Sequence, residues 1–362
     1  MTTTRIASDI QYATTPPSFR KTLIRTFSLA MVAIILLYCL SRFFIFWHGW
    51  PNLSSSIQAI LGNAPDMDKI TFYKGISLLV AYLAVFFFII KYIKRTSQLS
   101  LSYDADKFRR MSFYIIRAAF WMVFLVGISD AIVSFLRVEE LLIPVVGDDI
   151  AAALDQPKTR GLYLHYPLIA LSFLIAWFSR SLGFFWLAFL VVLAEFSIVI
   201  TRFIFSYEQA FMGDLVRFWY AAFFLFASAY TLIEGGHVRV DVLYARMGKR
   251  KKAWVNAIGS LLLGLPLCWV ILYFGMDTRQ SSLMAPILSF EVSSSGYGMY
   301  VKYIMGSFLL VYAVSMAIMF VSYFLSNSAY LMGEADALKA AGSDTDDHSN
   351  EQNTDNKQQG EH

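Results

Sequence analysis

The sequence predicts an all-α polytopic membrane protein with about eight transmembrane helices. Of its 362 residues, 57% are hydrophobic and only 15% are charged, and the mean hydropathy is +0.54. Soluble domains carry roughly 25% charged residues. A helix that crosses the bilayer needs about 20 apolar residues. Runs of that kind occur near residues 25–47, 72–93, 112–135, 163–179, 183–205, 215–234, 254–275 and 299–325.

The charged residues predict how these helices are oriented. An excess of Lys and Arg in a connection marks the cytoplasmic side of a membrane protein. If both termini are cytoplasmic, the basic connections fall inside and the mixed or acidic connections fall outside. The inside group includes Arg20, Lys21, Arg25, Lys91, Lys94, Arg95, Lys107, Arg109, Arg110, Arg180, Arg239 and the run from Arg246 to Lys252.

The chain divides by composition into four stretches. Residues 1–24 form a cytoplasmic leader, and residues 331–362 form an acidic tail that is too poor in apolar residues to fold. Residues 25–180 hold four spans with long connections and are predicted to be an accessory region. Residues 181–330 hold four closely spaced spans and are predicted to be a core unit. The apolar run 141–146 is too short to span, so it is expected at the interface or against the bundle.

Charge and cysteine content exclude some classes of function. The net charge of +4 is spread over membrane-flanking loops, which favours contact with anionic lipid headgroups over nucleic acid. The two cysteines, Cys39 and Cys268, lie inside predicted spans, so a disulfide framework is excluded. No cofactor is predicted.

Glu195 is the acid that lies closest to the centre of a predicted span. One interpretation is a carboxylate that couples transport to protons or cations, because ionisable groups at membrane depth are costly. The favoured interpretation is a buried acid, neutral or hydrogen-bonded to a neighbouring helix, that fixes packing. Carriers concentrate polar groups and interrupted helices at one midplane site, and this pattern is missing from the sequence. The chain is therefore not expected to carry a polar solute alone.

The most informative motif is Glu234-Gly-Gly-His-Val-Arg-Val-Asp-Val-Leu-Tyr244, which follows the sixth apolar run. Gly235 and Gly236 are expected to end that helix. If a helical turn follows, His237 and Asp241 share one face with Tyr244 beside them. Arg239 would then reach phosphate headgroups together with the basic cluster Arg246, Lys249, Arg250, Lys251 and Lys252.

Catalysis and metal binding by this motif are disfavoured by its ligand count. One His and one Asp are too few ligands for a metal site. The sequence also shows no nucleophile with a base partner and no glycine loop for phosphate. A structural or interaction role is favoured, and pH sensing by His237 is left open. The chain is not expected to be an enzyme.

Residues 183–326 resemble the small membrane subunit (DctQ type) of tripartite ATP-independent periplasmic (TRAP) transporters. The motif from Glu234 to Tyr244 is similar to the family's signature after its second helix. Asp214-Leu-Val-Arg217 is similar to an acid-Leu-x-Arg element at the start of that helix. Ser289-Phe-Glu-Val-Ser293, with Glu291 and Ser293, is similar to a Glu-x-Ser element before the last helix.

The resemblance implies a scaffold subunit in the bacterial inner membrane. Its expected partners are a large membrane subunit (DctM type), which carries the substrate and cation sites, a periplasmic solute-binding protein and membrane lipids. The expected activity is import of a small organic solute, with an organic acid favoured, driven by a Na+ or H+ gradient. The alternative is a self-contained eight-span carrier or membrane enzyme that uses Glu195. The family implies nothing about the four N-terminal spans.

Overall fold

The computed structural model describes residues 18–62, 68–181, 183–234, 244, 246–293 and 297–334, and every regular element in these ranges is a helix. Eight of these described helices are long and apolar enough to cross a membrane. This confirms the all-helical, eight-span prediction. They are α1 (Phe19–His48), α3 (Lys69–Arg95), α4 (Leu101–Val138), α7 (Pro157–Phe178), α8 (Phe184–Phe205), α9 (Ala210–Glu234), α10 (Lys249–Met276) and α12 (Lys302–Leu331).

Four short helices lie in the connections: α2 (Leu53–Ile60), α5 (Leu142–Val146), α6 (Asp148–Leu154) and α11 (Met284–Ser289). The run predicted to lie at the interface or against the bundle forms α5. Its Leu142 is buried, whereas Ile143 and Val145 are exposed. One apolar side chain of α5 is thus packed inside the protein, and two are left on its surface.

The first helix begins earlier than the sequence predicted. The Ser18 side chain accepts a hydrogen bond from the Lys21 amide and caps the N-terminus of α1. Phe19 to Ile24 are therefore helical, although composition assigned them to the leader. At the other end, Gly49 adopts a left-handed conformation (φ 62°) and its amide bonds the Phe44 carbonyl, which closes the helix in the way that glycine favours.

Two long helices contain a π-helical turn directly before a proline. The turn Gly161–His165 precedes Pro167 in α7, and the turn Ser260–Gly264 precedes Pro266 in α10. Proline has no amide hydrogen for the usual bond to the residue four positions earlier. The turn becomes wider, so that Tyr166 and Leu265 bond carbonyls five residues back, at Gly161 and Ser260. These turns change which side chains share a face.

The described residues belong to two compact units. Unit 1 is drawn from Met1–Arg109, Arg239–Leu265 and Phe320–His362, and unit 2 from Arg110–Val238 and Pro266–Met319. Each unit combines residues from both sides of the boundary predicted at residue 181. That boundary remains a prediction.

Each unit contains buried apolar side chains of its own. In unit 1, side chains from the start of α4 and the end of α12 are fully buried, among them Leu101 and Leu325. In unit 2, the rings of Phe218 and Phe226 on α9 pack against Phe308 on α12, with centroids 5.1 and 5.2 Å apart. Close packing of this kind stabilises contacts between membrane helices, where apolar side chains are surrounded by lipid rather than water before they associate.

The long helices differ in how much of their surface the protein covers. Half of an 18-residue apolar stretch of α12 is buried, and 44% of one in α4, but only 11% of one in α8. The exposed side chains of α8 are nearly all apolar and include Phe185, Trp186, Val192, Phe196 and Phe203. α8 therefore offers a large apolar surface to lipid or to another protein.

Candidate functional site

The central sequence motif lies mostly outside the described residues. The backbone of Glu234 ends α9, but its side chain and the residues Gly235, Gly236, His237, Arg239 and Asp241 are outside them. Tyr244, at the end of the motif, is described. Its hydroxyl donates to Asn256 Oδ1 (3.1 Å), and the Lys252 ammonium lies 5.1 Å from its ring centroid.

Tyr244 is the first member of a short polar chain within unit 1. Asn256 on α10 donates through Nδ2 to Asn327 Oδ1 (3.5 Å), and Asn327 donates to the Tyr323 carbonyl on its own helix, α12 (2.7 Å). The end of the motif is therefore attached to two long helices by side-chain contacts.

The basic cluster after the motif leads into α10. Arg246, Lys249, Arg250 and Lys251 are exposed, and Lys252 is half-buried. Since α10 begins at Lys249, four of these residues form its first turn. That these residues contact lipid headgroups remains a prediction.

Asp214 and Arg217 form the ion pair that their spacing suggested, and the Asp214 carboxylate also accepts a second hydrogen bond. Asp214 Oδ1 lies 3.4 Å from Arg217 Nη1. Asp214 Oδ2 accepts a buried hydrogen bond from the Met299 amide (3.1 Å), just before α12. Because α9 begins at Ala210, Asp214 lies one turn inside the helix rather than at its start. It holds the connection to α12, while the Arg217 side chain is 75% exposed.

Glu291 and Ser293 lie in the loop between α11 and α12. The Glu291 carboxylate accepts from Lys302 Nζ (2.5 Å), and its carbonyl accepts from the Tyr303 amide (3.0 Å). Glu291 therefore fixes the start of α12 through both its side chain and its backbone. Ser293 lies two residues further along the same loop.

A buried charged cluster in unit 2 was missed by sequence reasoning. The side chains of Asp130 on α4 and of Arg160 and His165 on α7 are fully inaccessible to solvent. Asp130 Oδ1 lies 2.6 Å from Arg160 Nε and 2.9 Å from His165 Nε2. Its Oδ2 accepts from the Tyr300 amide (2.8 Å). One carboxylate thus joins α4, α7 and the segment that leads into α12.

The remaining contacts of this cluster extend the same connection. Arg160 Nη2 donates to the Asp130 carbonyl (2.8 Å) and to Ser134 Oγ (3.0 Å). His165 Nδ1 lies 2.8 Å from the Tyr303 hydroxyl. A carboxylate can only accept, so Nε2 carries the proton in neutral His165, and Nδ1 accepts from Tyr303. We call Asp130, Ser134, Arg160, His165 and Tyr303 the Asp130 cluster.

The π-helical turn of α7 makes this cluster possible. Arg160 and His165 are five residues apart, and at 3.6 residues per turn their side chains would point about 140° apart around an α-helix. The wider π-helical turn brings residues five apart onto one face. Both side chains therefore reach Asp130. Gly161, inside the turn, leaves space for the Phe290 ring, since a Cβ there would come within 2.6 Å of it.

Aromatic and cationic groups cover one side of the Asp130 cluster. Two guanidinium groups lie over the Tyr300 ring, with Arg137 4.6 Å and Arg160 4.7 Å from its centroid. Arg137 also donates to the Gly298 carbonyl (2.9 Å), and the Tyr300 hydroxyl donates to the Asp155 carbonyl (3.2 Å). Cation–π contacts at desolvated sites contribute up to about 2 kcal/mol. These contacts strengthen the attachment of the residue 298–303 segment.

A second buried charged cluster lies in unit 1 and corrects an expectation for the first basic segment. Arg25 was expected near lipid headgroups, but it is buried and its Nε lies 2.6 Å from Asp104 Oδ2. Its Nη1 and Nη2 donate to the Thr96 carbonyl (2.5 Å) and hydroxyl (3.0 Å). Lys21, one turn earlier on α1, is also buried. The charge of Arg25 is accommodated inside the protein because Asp104 and Thr96 supply acceptors.

Glu334 completes this part of unit 1. It follows Gly333, whose φ is 75°, and its two carboxylate oxygens accept from the Leu101 amide at 3.0 and 2.9 Å. These bonds satisfy a free amide at the N-terminus of α4, where negative charge is stabilised by the helix dipole. Composition assigned Glu334 to the acidic tail, whose residues beyond it lie outside the described part of the chain.

Glu195 does not lie where the favoured interpretation placed it. Its side chain is exposed on α8. Among the described residues, it forms no hydrogen bond or ion pair. The expectation of a buried acid that bonds a neighbouring helix of this chain is therefore wrong. Glu195 is exposed because α8 packs mainly against one helix, α9, and its exposed neighbours on α8 are apolar.

Outside the long helices, a contact between two loops raises the pKa of a tyrosine, Tyr207. The Tyr207 hydroxyl donates to Glu139 Oε1 at 2.6 Å. Burial and this hydrogen bond to a carboxylate raise the pKa of Tyr207 to about 12. Tyr207 therefore stays protonated at neutral pH and remains a donor between these two loops.

The chemistry of the two buried clusters is structural. Each joins segments that are far apart in sequence through an ion pair supported by hydrogen bonds. Within the described ranges, no group of three or more His, Cys, Asp or Glu side chains could hold a metal ion. The Asp130 cluster is fully enclosed, so a soluble substrate has no access to its polar atoms.

The family comparison concerns the four C-terminal spans, α8, α9, α10 and α12. Residues 188–329 match the DctQ component of the tripartite ATP-independent periplasmic transporters. We call them the DctQ segment. The match confirms the resemblance drawn from the sequence motifs, and this family is a transporter component rather than an enzyme. Searches of the curated proteins and of the solved structures gave no match.

The DctQ segment is in direct contact with the preceding spans. It begins within α8 and ends near the C-terminus of α12, covering less than half of the 362 residues. In unit 2, Asp130 of α4 bonds Tyr300 of the DctQ segment, and Ser112 of α4 donates to the Ser315 carbonyl (2.9 Å). Part of the N-terminal region therefore packs on the DctQ segment itself.

Proposed function

We propose that this chain is the small membrane subunit of a TRAP-type secondary transporter. The observation that carries this proposal is the family match over residues 188–329, which coincides with four helices long enough to span a membrane. The subunit would act with a large membrane subunit of the DctM type and a periplasmic solute-binding protein. The imported solute would be a small organic acid, and a Na+ or H+ gradient would drive its uptake.

Within this proposal, the bacterial inner membrane is the site of action and both termini are cytoplasmic. The distribution of Lys and Arg supports this orientation. The motif from Glu234 to Tyr244 would then lie on the cytoplasmic side, with His237 and Asp241 contributing to the subunit interface. The exposed residues of the basic cluster, Arg246 and Lys249 to Lys251, would contact anionic headgroups.

The surroundings of Glu195 disfavour the alternative of a self-contained carrier. A carrier site gathers several polar groups around the ionisable residue. Glu195 instead lies on the surface of α8, where the exposed neighbours Val192, Phe196 and Val199 are apolar. The described residues thus provide no polar site around Glu195 in this chain, which supports the subunit function.

The four N-terminal spans have a supporting role in this proposal. α4 and α7 hold the segment before α12 through the Asp130 cluster. They would keep the DctQ segment in one conformation while the large subunit moves during transport.

Co-purification with the large subunit tests the proposed partnership. The wild-type chain is expected to retain the co-expressed large subunit through affinity purification. His237→Ala and Asp241→Ala are each expected to reduce the retained amount about tenfold, which corresponds to ~1.4 kcal/mol. Their insertion into the membrane should be unchanged.

His48→Ala is the matched control, because His48 is an exposed histidine at the end of α1, outside the DctQ segment. It should retain the large subunit like the wild type. Normal retention by both motif variants would contradict the interface role of the motif. Failure of the wild-type chain to retain the large subunit would contradict the subunit function.

A further inference from the structure

Glu195 occupies the centre of α8. The helix runs from Phe184 to Phe205, so Glu195 lies about 15 Å from either end at a rise of 1.5 Å per residue. Its side chain is exposed and has no partner among the residues that the structure describes. An ionisable group at the middle of an exposed, apolar spanning helix is an unusual arrangement.

Such a group needs compensation from outside the chain. An acid at the centre of a membrane helix is costly, and these residues almost always face a protein interior or an aqueous cavity. In this chain, the Glu195 side chain does not point into the protein interior but is exposed. Lipid tails provide no hydrogen bond to a carboxyl group. A donor from another protein would remove the cost.

The helix face around Glu195 is open to such a protein. Val192 and Val199 lie one turn before and after Glu195 and are 66% and 48% exposed. Among the described side chains of α8, only that of Leu187 is buried. The Glu195 face, defined as Val192, Glu195 and Val199, is therefore uncovered.

We propose that the Glu195 face docks against a transmembrane helix of the large subunit that presents a hydrogen-bond donor or a cationic side chain at mid-membrane depth. This inference rests on the proposed function, which supplies the partner. The apolar residues supply close packing, and Glu195 supplies a hydrogen bond or ion pair that fixes the depth of one helix against the other.

Charge complementarity disfavours a second copy of this chain as the occupant. Two copies inserted in the same direction would be related by an axis along the membrane normal, and residues at equal depth would meet. In a two-fold pair that uses the Glu195 face of both copies, Glu195 would face Glu195 or its neighbours at that depth, Val191, Val192, Ile198 and Val199. The four neighbours carry no hydrogen-bond donor, and two ionised carboxylates at this depth would repel each other.

The exposed face of α3 provides a contrast. It also exposes large apolar residues, including Leu83, Phe86 and Phe87, but the middle of the helix contains no acidic or basic residue. Lipid tails alone can cover an apolar face of this kind at no cost in unpaired polar groups. The difference between α3 and α8 makes Leu83 a control position.

Photo-crosslinking tests which molecule covers the Glu195 face. A photoreactive phenylalanine analogue is placed at position 192 or 199 of the full chain, co-expressed with the large subunit, and irradiated in membranes. Both positions are expected to yield a covalent product with the large subunit, identified by mass spectrometry, and position 83 is expected to yield none. Products with lipid alone or with a second copy of this chain would overturn the proposal.

Substitution of Glu195 tests the polar contact itself. Glu195→Leu is expected to insert as well as the wild type, since leucine is favourable at a helix centre. It would leave the partner's donor unpaired, and the co-purified large subunit is expected to fall about tenfold or more. Glu195→Gln keeps a hydrogen-bonding carbonyl and is expected to lose less.

The outcomes separate this inference from the proposed function. Wild-type co-purification with an unaffected Glu195→Leu variant would overturn the docking at Glu195 and leave the subunit function intact. Loss of the large subunit from the wild-type preparation would overturn both. Reduced retention by Glu195→Leu, together with crosslinks at 192 and 199, would support the docking.

Discussion

Replacing Asp130 with alanine is expected to lower the free energy of unfolding by about 3–5 kcal/mol, because it leaves the buried Arg160 guanidinium without its counter-ion. The carboxylate lies 2.6 Å from Arg160 Nε and also accepts from His165 and Tyr300. Arg160 Nε and Nη1 have no hydrogen-bond partner among the described residues, so the positive charge of Arg160 depends mainly on the nearby Asp130 carboxylate. Thermal unfolding of the purified chain in detergent measures the effect.

A double-mutant cycle separates the ion pair from the other contacts. Arg160→Met should also destabilise the protein, and the double variant should lose less than the sum of the two single variants. Glu208→Ala is the exposed control, since its pair with Arg202 lies at the surface, and its effect should stay below about 1 kcal/mol. Equal, small effects of Asp130→Ala and Glu208→Ala would show that the Asp130 cluster does not hold unit 2 together.

Replacing Arg25 with alanine is expected to cost a similar amount, about 3–5 kcal/mol, because Asp104 would be left buried and unpaired. Arg25 fills three acceptors at once: Asp104 Oδ2, the Thr96 carbonyl and the Thr96 hydroxyl. Arg25→Lys should recover only part of the loss, since a lysine ammonium cannot reproduce the planar arrangement of guanidinium donors. Thermal unfolding and protease resistance in detergent measure the change.

Arg20→Ala is the matched control for Arg25. Arg20 lies on the same helix, five residues earlier, and is exposed. Its removal is expected to change the free energy of unfolding by less than about 0.5 kcal/mol. If Arg25→Ala were as mild as Arg20→Ala, the burial of Arg25 against Asp104 would be wrong, and the original assignment of Arg25 to lipid headgroups would be preferred.

The spanning helices could be predicted from sequence because hydropathy is a local property. Each of the eight apolar runs is long enough to satisfy its own backbone as a helix, and a membrane leaves few other solutions. The helix ends were less predictable. α1 begins at Phe19 because Ser18 caps it, and its Lys21 and Arg25 side chains are buried. From composition alone, these two basic residues were expected at the membrane surface.

The buried clusters could not be read from sequence because their members are far apart in the chain. Asp130 bonds a residue 170 positions later, and Arg25 pairs with one 79 positions later. One local signal was present. Asp130 stands in an apolar run with no Lys or Arg within one helical turn, and a buried acid needs a partner. The spacing of Arg160 and His165 concealed their common face, since it requires the π-helical turn before Pro167.

The motifs of the DctQ segment were predictable to a different extent. Asp214 and Arg217 pair as their spacing of three residues suggested. The bond from Asp214 to the Met299 amide depends on the tertiary fold. For Glu195, the depth could be read from sequence but the exposure could not, because which face of α8 is covered depends on how the helices pack.

Uptake by reconstituted proteoliposomes tests the central claim, that this chain is one subunit of a three-part importer. The chain, the large subunit and the soluble receptor are combined, and a labelled organic acid that raises the melting temperature of the receptor serves as the solute. Uptake driven by an imposed Na+ or H+ gradient is expected only when all three proteins are present. Uptake by this chain alone, or equal uptake when this chain is omitted, would contradict the claim.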